Sequence, residues 1–175
     1  MKKNNVDLGS IGAMLERLKA EPAAAILQKR VAGAWSAGEG APQFSATIAH
    51  AAGETTLRAD MAPAFGGAGL APDPVQYMMF GLAACYTATV VMLATMEGAE
   101  LAGVRAVAEG VVDAAPTFDL GGGPLVPRVA VRVELETSAD DAALARWAAA
   151  ARAKCPFAFT IANAVPLETR VVRAS

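Results

Sequence analysis

The feature that most constrains the fold is the stretch between Asp73 and Glu97, which contains no charged residue. Asp73 can accept hydrogen bonds from the free amides of a first helical turn, and Pro74 fits the first helical position because no amide donor is needed there. Gly98 follows the stretch and favours helix termination. We therefore predict one helix of about six turns over Asp73–Gly98. Its apolar residues lie around the whole circumference, which is typical of a helix that is buried on all sides.

A membrane-spanning helix is the alternative, because the uncharged stretch is long enough to cross a bilayer. Gln76 and three threonines interrupt its hydrophobicity, acidic residues stand at both ends, and no Lys or Arg anchors flank it. We therefore favour a central helix wrapped by sheet, and we expect no membrane as a partner.

The composition excludes several classes of function. The 15 basic residues are balanced by 17 acidic ones, so no electrostatic surface for nucleic acid is expected. The chain has one histidine, His50, and two cysteines that are far apart in sequence, so neither zinc ligation nor a histidine-based triad is expected. We predict no metal and no cofactor.

The N-terminal sequence has two lysines without an apolar run after them, which indicates no secretory signal. We therefore expect a cytoplasmic, reducing location.

The rest of the chain predicts an α+β protein whose helices gather around the uncharged one. Short alternating runs between glycine-rich turns indicate antiparallel strands. Ser138 is the predicted cap of the helix that follows it, and Cys155 and Pro156 open a short helix that stops at Asn163. The other predicted helices are residues 6–28 and 139–153, and the predicted strands are residues 30–37, 43–50, 55–61, 102–114, 126–137 and 165–172. We predict one domain, 1–175, with 1–28 as an N-terminal helical extension.

Two cysteine contexts carry a resemblance to a known family. The first is Pro72–Cys85, P-D-P-V-Q-Y-M-M-F-G-L-A-A-C, and the second is Cys155–Glu168, C-P-F-A-F-T-I-A-N-A-V-P-L-E. A mostly uncharged helix entered by P-x-P-x-x-Y with a cysteine in L-A-A-C, then two strands, then C-P opening a short helix before V-P-x-E, resembles the OsmC/Ohr superfamily. The N-terminal part, with V-D-L, E-P and A-W-S-A-G, is similar to the longer OsmC-like branch that has an extra leading helix.

The resemblance implies an OsmC-like fold, in which antiparallel sheets surround a long central helix that bears a cysteine, and two intertwined chains form a homodimer with active sites at the interface. It also implies a thiol-dependent peroxidase that reduces organic hydroperoxides or hydrogen peroxide. In that mechanism Cys85 attacks the peroxide as a thiolate and becomes a sulfenic acid, and Cys155 condenses with it to a disulfide. A dithiol reductant, such as a lipoylated protein, then restores both thiols.

This chemistry requires a positive group near Cys85. A cysteine in the middle of a helix has no free helix amides to lower its pKa, whereas Cys155, at a helix N-terminus, has amide donors. The peroxidase members of the family place an arginine from an early strand or loop beside the sulfur, and Arg30 and Arg58 are the candidates here.

Those family members also place a glutamate at the start of the cysteine helix. Its position corresponds to Val75 or Gln76, depending on the branch aligned, so the carboxylate is absent. Gln76 can still accept a hydrogen bond from an arginine, but without charge.

Tyr77, Gly81 and Phe157 are the predicted substrate pocket. Gly81 lies one turn before Cys85 and leaves room beside the sulfur, and the aromatic residues suit a fatty or aromatic hydroperoxide. The absent carboxylate supports a second hypothesis, a catalytically weak family member that binds a small apolar or thiol-reactive molecule in the same interface pocket. A purely structural role is the third interpretation, since a cysteine inside an apolar helix is usually a small buried hydrophobe.

Overall fold

The computed structural model describes residues 2–174. These residues form two compact units: the first contains Lys2 and Asp7–Gly81, and the second contains Lys3–Val6 and the chain from Leu82 onward. A mixed α+β architecture is confirmed, and the prediction of a single domain stays a prediction. The long helix α2, Pro74–Met96, begins in the first unit and ends in the second.

Helix α1, Leu8–Ala20, begins and ends for identifiable reasons. Two very short strands precede it, β1 (Lys2–Lys3) and β2 (Val6–Asp7). The side chain of Asp7 accepts the amide of Gly9 at 2.9 Å and so caps the helix. The helix ends before Pro22, and a 3₁₀ turn, Pro22–Ala25, follows it. The predicted helix over residues 6–28 is thus shorter than expected and is interrupted where the sequence places a proline.

A three-stranded antiparallel sheet completes the regular structure of the first unit. Its order is β3-β4-β5, with the strands Gly33–Trp35, Phe44–His50 and Gly53–Ala59. Strand β5 starts two residues before the predicted Thr55, because Gly53 pairs with His50 across the tight turn. Gly53 has φ +137°, a backbone conformation that favours glycine.

The loop before α2 is held by Asp60, whose role the sequence analysis missed. This carboxylate is 2% exposed, and its Oδ2 accepts the amides of Ala68 and Leu70 at 3.2 and 2.9 Å. The amide of Asp60 also donates to the carbonyl of Pro72. The glycine-rich loop is therefore folded around one buried carboxylate, which fixes the direction in which the chain approaches α2.

Helix α2 begins in a reciprocal capping arrangement. Asp73 Oδ1 accepts the amide of Gln76 at 2.9 Å, and Gln76 Oε1 accepts the amide of Asp73 at 2.9 Å. Two of the free amides at the helix start are satisfied by this pair. The predicted cap at Asp73 is confirmed, and Gln76 is its partner in the cap.

The second unit combines a two-stranded sheet with helices. Strands β6 and β7 pair antiparallel from Gly103 opposite Glu136 to Val111 opposite Arg128. Half-buried and exposed residues alternate along β7, as its sequence predicts. The core of the unit lies between α2 and α3, where Leu82, Val90, Ala94, Trp147 and Ala151 are buried. The elements are β6 (Gly103–Val111), β7 (Arg128–Glu136), α3 (Asp141–Lys154) and α4 (Pro156–Ala162).

Gly98 ends α2, as predicted. It adopts φ +82°, and the amides of Gly98 and Ala99 donate to the carbonyls of Thr95 and Ala94. This left-handed turn satisfies the last helix carbonyls and releases the chain toward β6.

The prediction that α2 is buried on all sides is wrong for the single chain. Phe80 is 71% exposed and Met96 is 48% exposed, while buried residues such as Leu82 and Ala94 occupy only part of the circumference. The helix is apolar around its whole circumference, but a single chain covers only part of that surface.

Helix α2 is also long and apolar enough to span a membrane, and it is the one helix in residues 2–174 that is. Core helices of water-soluble proteins meet the same requirement, so the observation is weak support for a membrane.

Two further predictions are wrong. Asp140, and not Ser138, caps α3, because its Oδ1 accepts the amide of Ala143 at 2.8 Å. The predicted strand over residues 165–172 is also not formed: as far as residue 174 this segment has no regular structure, and Leu167 is 86% exposed. Alternating apolar residues make a strand only where a neighbouring strand can pair with their backbone, and none in the described chain does so here.

The side chain of Asn4 forms hydrogen bonds that link the N-terminal segment to the end of α2. Its amide group donates to Thr95 Oγ1 at 2.9 Å and to the carbonyl of Ala99 at 3.0 Å, and its Oδ1 accepts the amide of Leu101 at 3.0 Å. Asn4 and Asn5 both have positive φ, 51° and 60°, a conformation that asparagine tolerates better than alanine does.

We predict that Asn4→Ala lowers the free energy of unfolding by about 2 kcal/mol more than Asn5→Ala does, because part-buried hydrogen bonds are lost in addition to the shared backbone cost. Urea unfolding followed by circular dichroism measures this difference. Equal losses in the two variants would show that the three contacts of Asn4 do not stabilise the fold.

Candidate functional site

The structure brings the two cysteines together. Cys155 Sγ donates a hydrogen bond to Cys85 Sγ over 3.3 Å, although 70 residues separate them. Both are free thiols, and Cys155 is fully buried while Cys85 is half-buried. A disulfide needs sulfurs about 2.05 Å apart, so oxidation requires an approach of little more than 1 Å.

Cys155 is held at the junction of α3 and α4. Its amide donates to the carbonyl of Ala151 at 2.8 Å and closes α3. Its sulfur caps α4 by accepting the amide of Ala158 at 3.5 Å, and Pro156 occupies the first helical position. The predicted N-cap role of Cys155 is therefore observed. In this position its thiol also reaches Cys85 on α2.

Burial raises the pKa of Cys85 above its usual value of 9.0. The backbone amide of Phe157 acts against this by donating to the Cys85 sulfur, whereas the hydrogen bond with Cys155 and a negative charge on Cys155 raise the pKa further. In residues 2–174 no positively charged side chain is among the groups that shift it. A second negative charge beside the Cys85 sulfur is unfavourable, so the charge on Cys155 acts in the same direction as burial.

The raised pKa predicts a specific pH dependence. In a Cys155→Ser variant, which leaves Cys85 as the one cysteine, we expect the rate of alkylation by iodoacetamide to rise about tenfold per pH unit between pH 7 and 9. The thiolate is the nucleophile, and its fraction grows tenfold per unit below the pKa. Mass spectrometry of samples quenched at successive times gives the alkylation rates. A plateau already at pH 7 would show that a cation activates Cys85 in solution.

The predicted supporting residues lie in the first unit and the thiols in the second. Arg30 and Arg58 are exposed, and the backbone carbonyl of Arg58 accepts the hydroxyl of Tyr77 at 2.6 Å. Gln76 is exposed and has its Oε1 engaged by Asp73. This contact gives Gln76 a structural role at the start of α2. The activating roles of Arg30, Arg58 and Gln76 remain predictions.

Of the predicted pocket residues, Phe157 belongs to the unit of the thiols. It directly follows Pro156, its side chain is 40% exposed, and its amide contacts Cys85. Tyr77 and Gly81 belong to the first unit and are half-buried there. Their part in a substrate pocket stays a prediction.

Sequence reasoning missed Tyr86, which follows Cys85 in α2. Its hydroxyl donates to the carbonyl of Ala148 in α3 at 3.1 Å. Burial and the charge of Cys155 raise the pKa of Tyr86, and Arg152 acts in the opposite direction. Tyr86 is half-buried, and a tyrosine packs its ring while its hydroxyl bonds to a polar partner, so a tyrosine inside an apolar helix was a usable signal. A cavity of about 190 Å³ adjoins it, lined by Tyr86, Val90, Val131, Val133, Leu135, Leu144 and Ala148.

Groups of three or more His, Cys, Asp or Glu side chains that could hold a metal do not occur among residues 2–174. The site consists of two free thiols, one buried and one partly accessible, within hydrogen-bond distance of each other. Two thiols at this distance are close to the separation that a disulfide requires.

The chain belongs to the OsmC-like protein family, which matches residues 66–170 and so includes both cysteines. None of the curated proteins matches the sequence. A Psychrobacter arcticus protein whose name refers to osmotic stress and detoxification is similar in fold, with a TM-score of 0.58, 20% identity, and coverage of 76% of this chain and 88% of that one.

Two other solved structures show the same likeness. An OsmC-like protein of Mycoplasma pneumoniae has a TM-score of 0.55 and 18% identity, over 78% of this chain and 89% of that one. A Legionella pneumophila protein named as the organic hydroperoxide resistance protein OsmC has a TM-score of 0.53 and 18% identity, over 78% of this chain and 91% of that one. These likenesses establish the OsmC-like fold that the cysteine motifs implied.

Proposed function

We propose that this protein is a thiol-dependent peroxidase that reduces organic hydroperoxides or hydrogen peroxide, with Cys85 as the attacking thiol and Cys155 as the resolving thiol. The observation that carries the proposal is the 3.3 Å hydrogen bond between the two sulfurs. Cys85 is the partly accessible member, and the Phe157 amide donates to its sulfur, which favours the thiolate. Membership of the OsmC-like family supports the same assignment.

The first chemical step forms a sulfenic acid. The Cys85 thiolate attacks the outer oxygen of ROOH, the O–O bond breaks, and RO⁻ leaves. The proton that the alkoxide needs is available on Cys155, which is the hydrogen-bond donor in the reduced pair. Its transfer yields ROH and leaves Cys155 as a thiolate.

The second step resolves the intermediate. The Cys155 thiolate attacks the sulfur of Cys85–SOH, the S–O bond breaks, and hydroxide leaves and takes a proton to become water. A dithiol such as a lipoylated protein then reduces the disulfide by thiol–disulfide exchange. Because the pKa of Cys85 is raised, the first step is expected to be the slow one at neutral pH.

A peroxide-consumption assay with two reductants tests the proposal. We expect the protein to consume cumene hydroperoxide catalytically with dihydrolipoamide and much more slowly with glutathione, because a dithiol completes exchange intramolecularly. Failure to consume peroxide with either reductant would contradict the proposal.

We further propose that the active form is a homodimer located in the cytoplasm. Phe80 on α2 is 71% exposed, and Leu167, Val171 and Val172 near the C-terminus are more than 80% exposed. A second chain that covered these residues would bury the rest of α2 and provide a neighbour for the extended C-terminal segment. Sedimentation velocity at micromolar concentration tests the dimer, and a monomer there would contradict it.

A catalytically weak binding protein is the second candidate. The raised pKa of Cys85 favours it, as does the absence of a carboxylate at Val75 and Gln76. In that case a small apolar or thiol-reactive molecule binds near the thiol pair without turnover. The same assay distinguishes the two candidates, because binding alone consumes no peroxide.

A further inference from the structure

Helices α2 and α3 are joined at two points by neighbouring residues of α2. Cys85 meets the thiol of Cys155, and the next residue, Tyr86, donates its hydroxyl to the carbonyl of Ala148 at 3.1 Å. Both contacts belong to the second unit and both lie beside the redox pair. Neither the thiol chemistry nor the capping of Cys155 requires the second contact.

The two partners on α3 are spaced by two helical turns. Ala148 and Cys155 are seven residues apart, so they lie on the same face of the helix and are separated by about 10 Å along its axis. Two contacts at that spacing constrain both the separation of the helices and the rotation of α3 about its axis. The ion pair of Arg146 with Glu97, at 2.6 Å, adds a third link at the end of α2, far from the thiols.

Packing between the helices is incomplete on one side of their buried contact. The cavity of about 190 Å³ lies between α2, α3 and β7, and its lining includes Tyr86, Val90, Leu144 and Ala148. Side chains that border unfilled space can shift without overlap. The hydrogen bond from Tyr86 crosses from one helix to the other at the edge of this space.

We propose that Tyr86 is the positioning residue that holds α3 in register with α2 and thereby keeps Cys155 within reach of Cys85. The effect of Tyr86 on catalysis depends on the function proposed above, because it concerns the step in which Cys155 attacks the sulfenic acid. In that step the S–O bond breaks, hydroxide leaves and becomes water, and the new S–S bond forms. The competing reaction is attack of a second hydroperoxide, which gives a sulfinic acid and another ROH.

The test is the thiol–disulfide equilibrium of the full chain against reduced and oxidised glutathione. We expect Tyr86→Phe, which keeps the ring and removes the hydroxyl, to lower the effective concentration of Cys155 toward Cys85 by about fivefold. Asp140→Ala is the matched control. It removes the cap bond to Ala143 on the same helix but leaves the contact between α2 and α3, so its effective concentration should equal that of the parent.

A second readout follows the same variants with excess cumene hydroperoxide. Mass spectrometry should find a larger proportion of sulfinic acid on Cys85 in Tyr86→Phe than in the parent or in Asp140→Ala. An effective concentration in Tyr86→Phe equal to that of the parent, or a loss shared by Asp140→Ala, would overturn the role of Tyr86. The glutathione equilibrium involves no peroxide. If the unmodified protein does not react with peroxide, the proposed function is contradicted. The effective concentration measured with glutathione still tests the role of Tyr86 in that case.

Discussion

Cys85→Ser is expected to abolish catalytic reduction of cumene hydroperoxide, with a fall of at least about a thousandfold in kcat/KM. A serine hydroxyl is not ionised at neutral pH and cannot accept oxygen from a peroxide to form a sulfenic acid. The loss should be complete because a nucleophile that forms the covalent intermediate has no substitute in the site. Peroxide consumption with dihydrolipoamide measures it.

The matched control for this variant is Cys155→Ser. Serine is a good N-cap, so it can replace the sulfur that now accepts the Ala158 amide, and the fold should be kept. If Cys85→Ser retained activity while Cys155→Ser lost it, Cys155 would be the attacking thiol and the assigned roles would be reversed.

Cys155→Ser is expected to reduce one equivalent of peroxide and then to turn over slowly. Cys85 would still react with one equivalent of peroxide, but its sulfenic acid would have no thiol partner at 3.3 Å. We predict a fall of about a hundredfold in turnover with dihydrolipoamide, because external thiols must replace an intramolecular reaction of high effective concentration. Dimedone labelling followed by mass spectrometry should find the trapped sulfenic acid on Cys85.

Excess peroxide should convert that variant to the sulfinic acid, which thiols do not reduce. Retention of full turnover would contradict the resolving role of Cys155 and would imply that external reductant attacks the sulfenic acid directly. The parent, exposed to the same excess, should form the disulfide first and be protected from further oxidation.

The arrangement of the thiols was predictable from sequence because each cysteine is fixed by local signals. Pro156 after Cys155 marks a helix start, and Asp73 and Gly98 bound the helix that carries Cys85. Their approach to 3.3 Å was implied only by the family resemblance. Nothing in the local sequence gives a distance between residues that are 70 positions apart.

The errors have physical causes. Ser138 and Asp140 are both good caps, and the choice between them depended on where α3 met the rest of the chain. The segment 165–172 alternates as a strand should, but pairing decides whether a strand forms. The sequence of α2 makes it apolar around its whole circumference. Its burial depends on how many other elements pack against it, and those of a single chain leave part of its apolar surface exposed.

The contacts that sequence reasoning missed are single side chains acting at long range. Asp60 folds a loop around a buried carboxylate, Asn4 ties the N-terminus to the end of α2, and Tyr86 reaches α3. The sequence around each residue does not identify the group that its side chain will bond. Their partners appear only once the chain is folded.

The central claim is that Cys85 and Cys155 form one redox pair driven by peroxide. Its most direct test is non-reducing mass spectrometry of the reduced protein after a brief pulse of one equivalent of cumene hydroperoxide. We predict an intrachain disulfide between Cys85 and Cys155 and no other oxidised residue. Two thiols that remain reduced after the pulse would contradict the claim and would favour the binding-protein alternative.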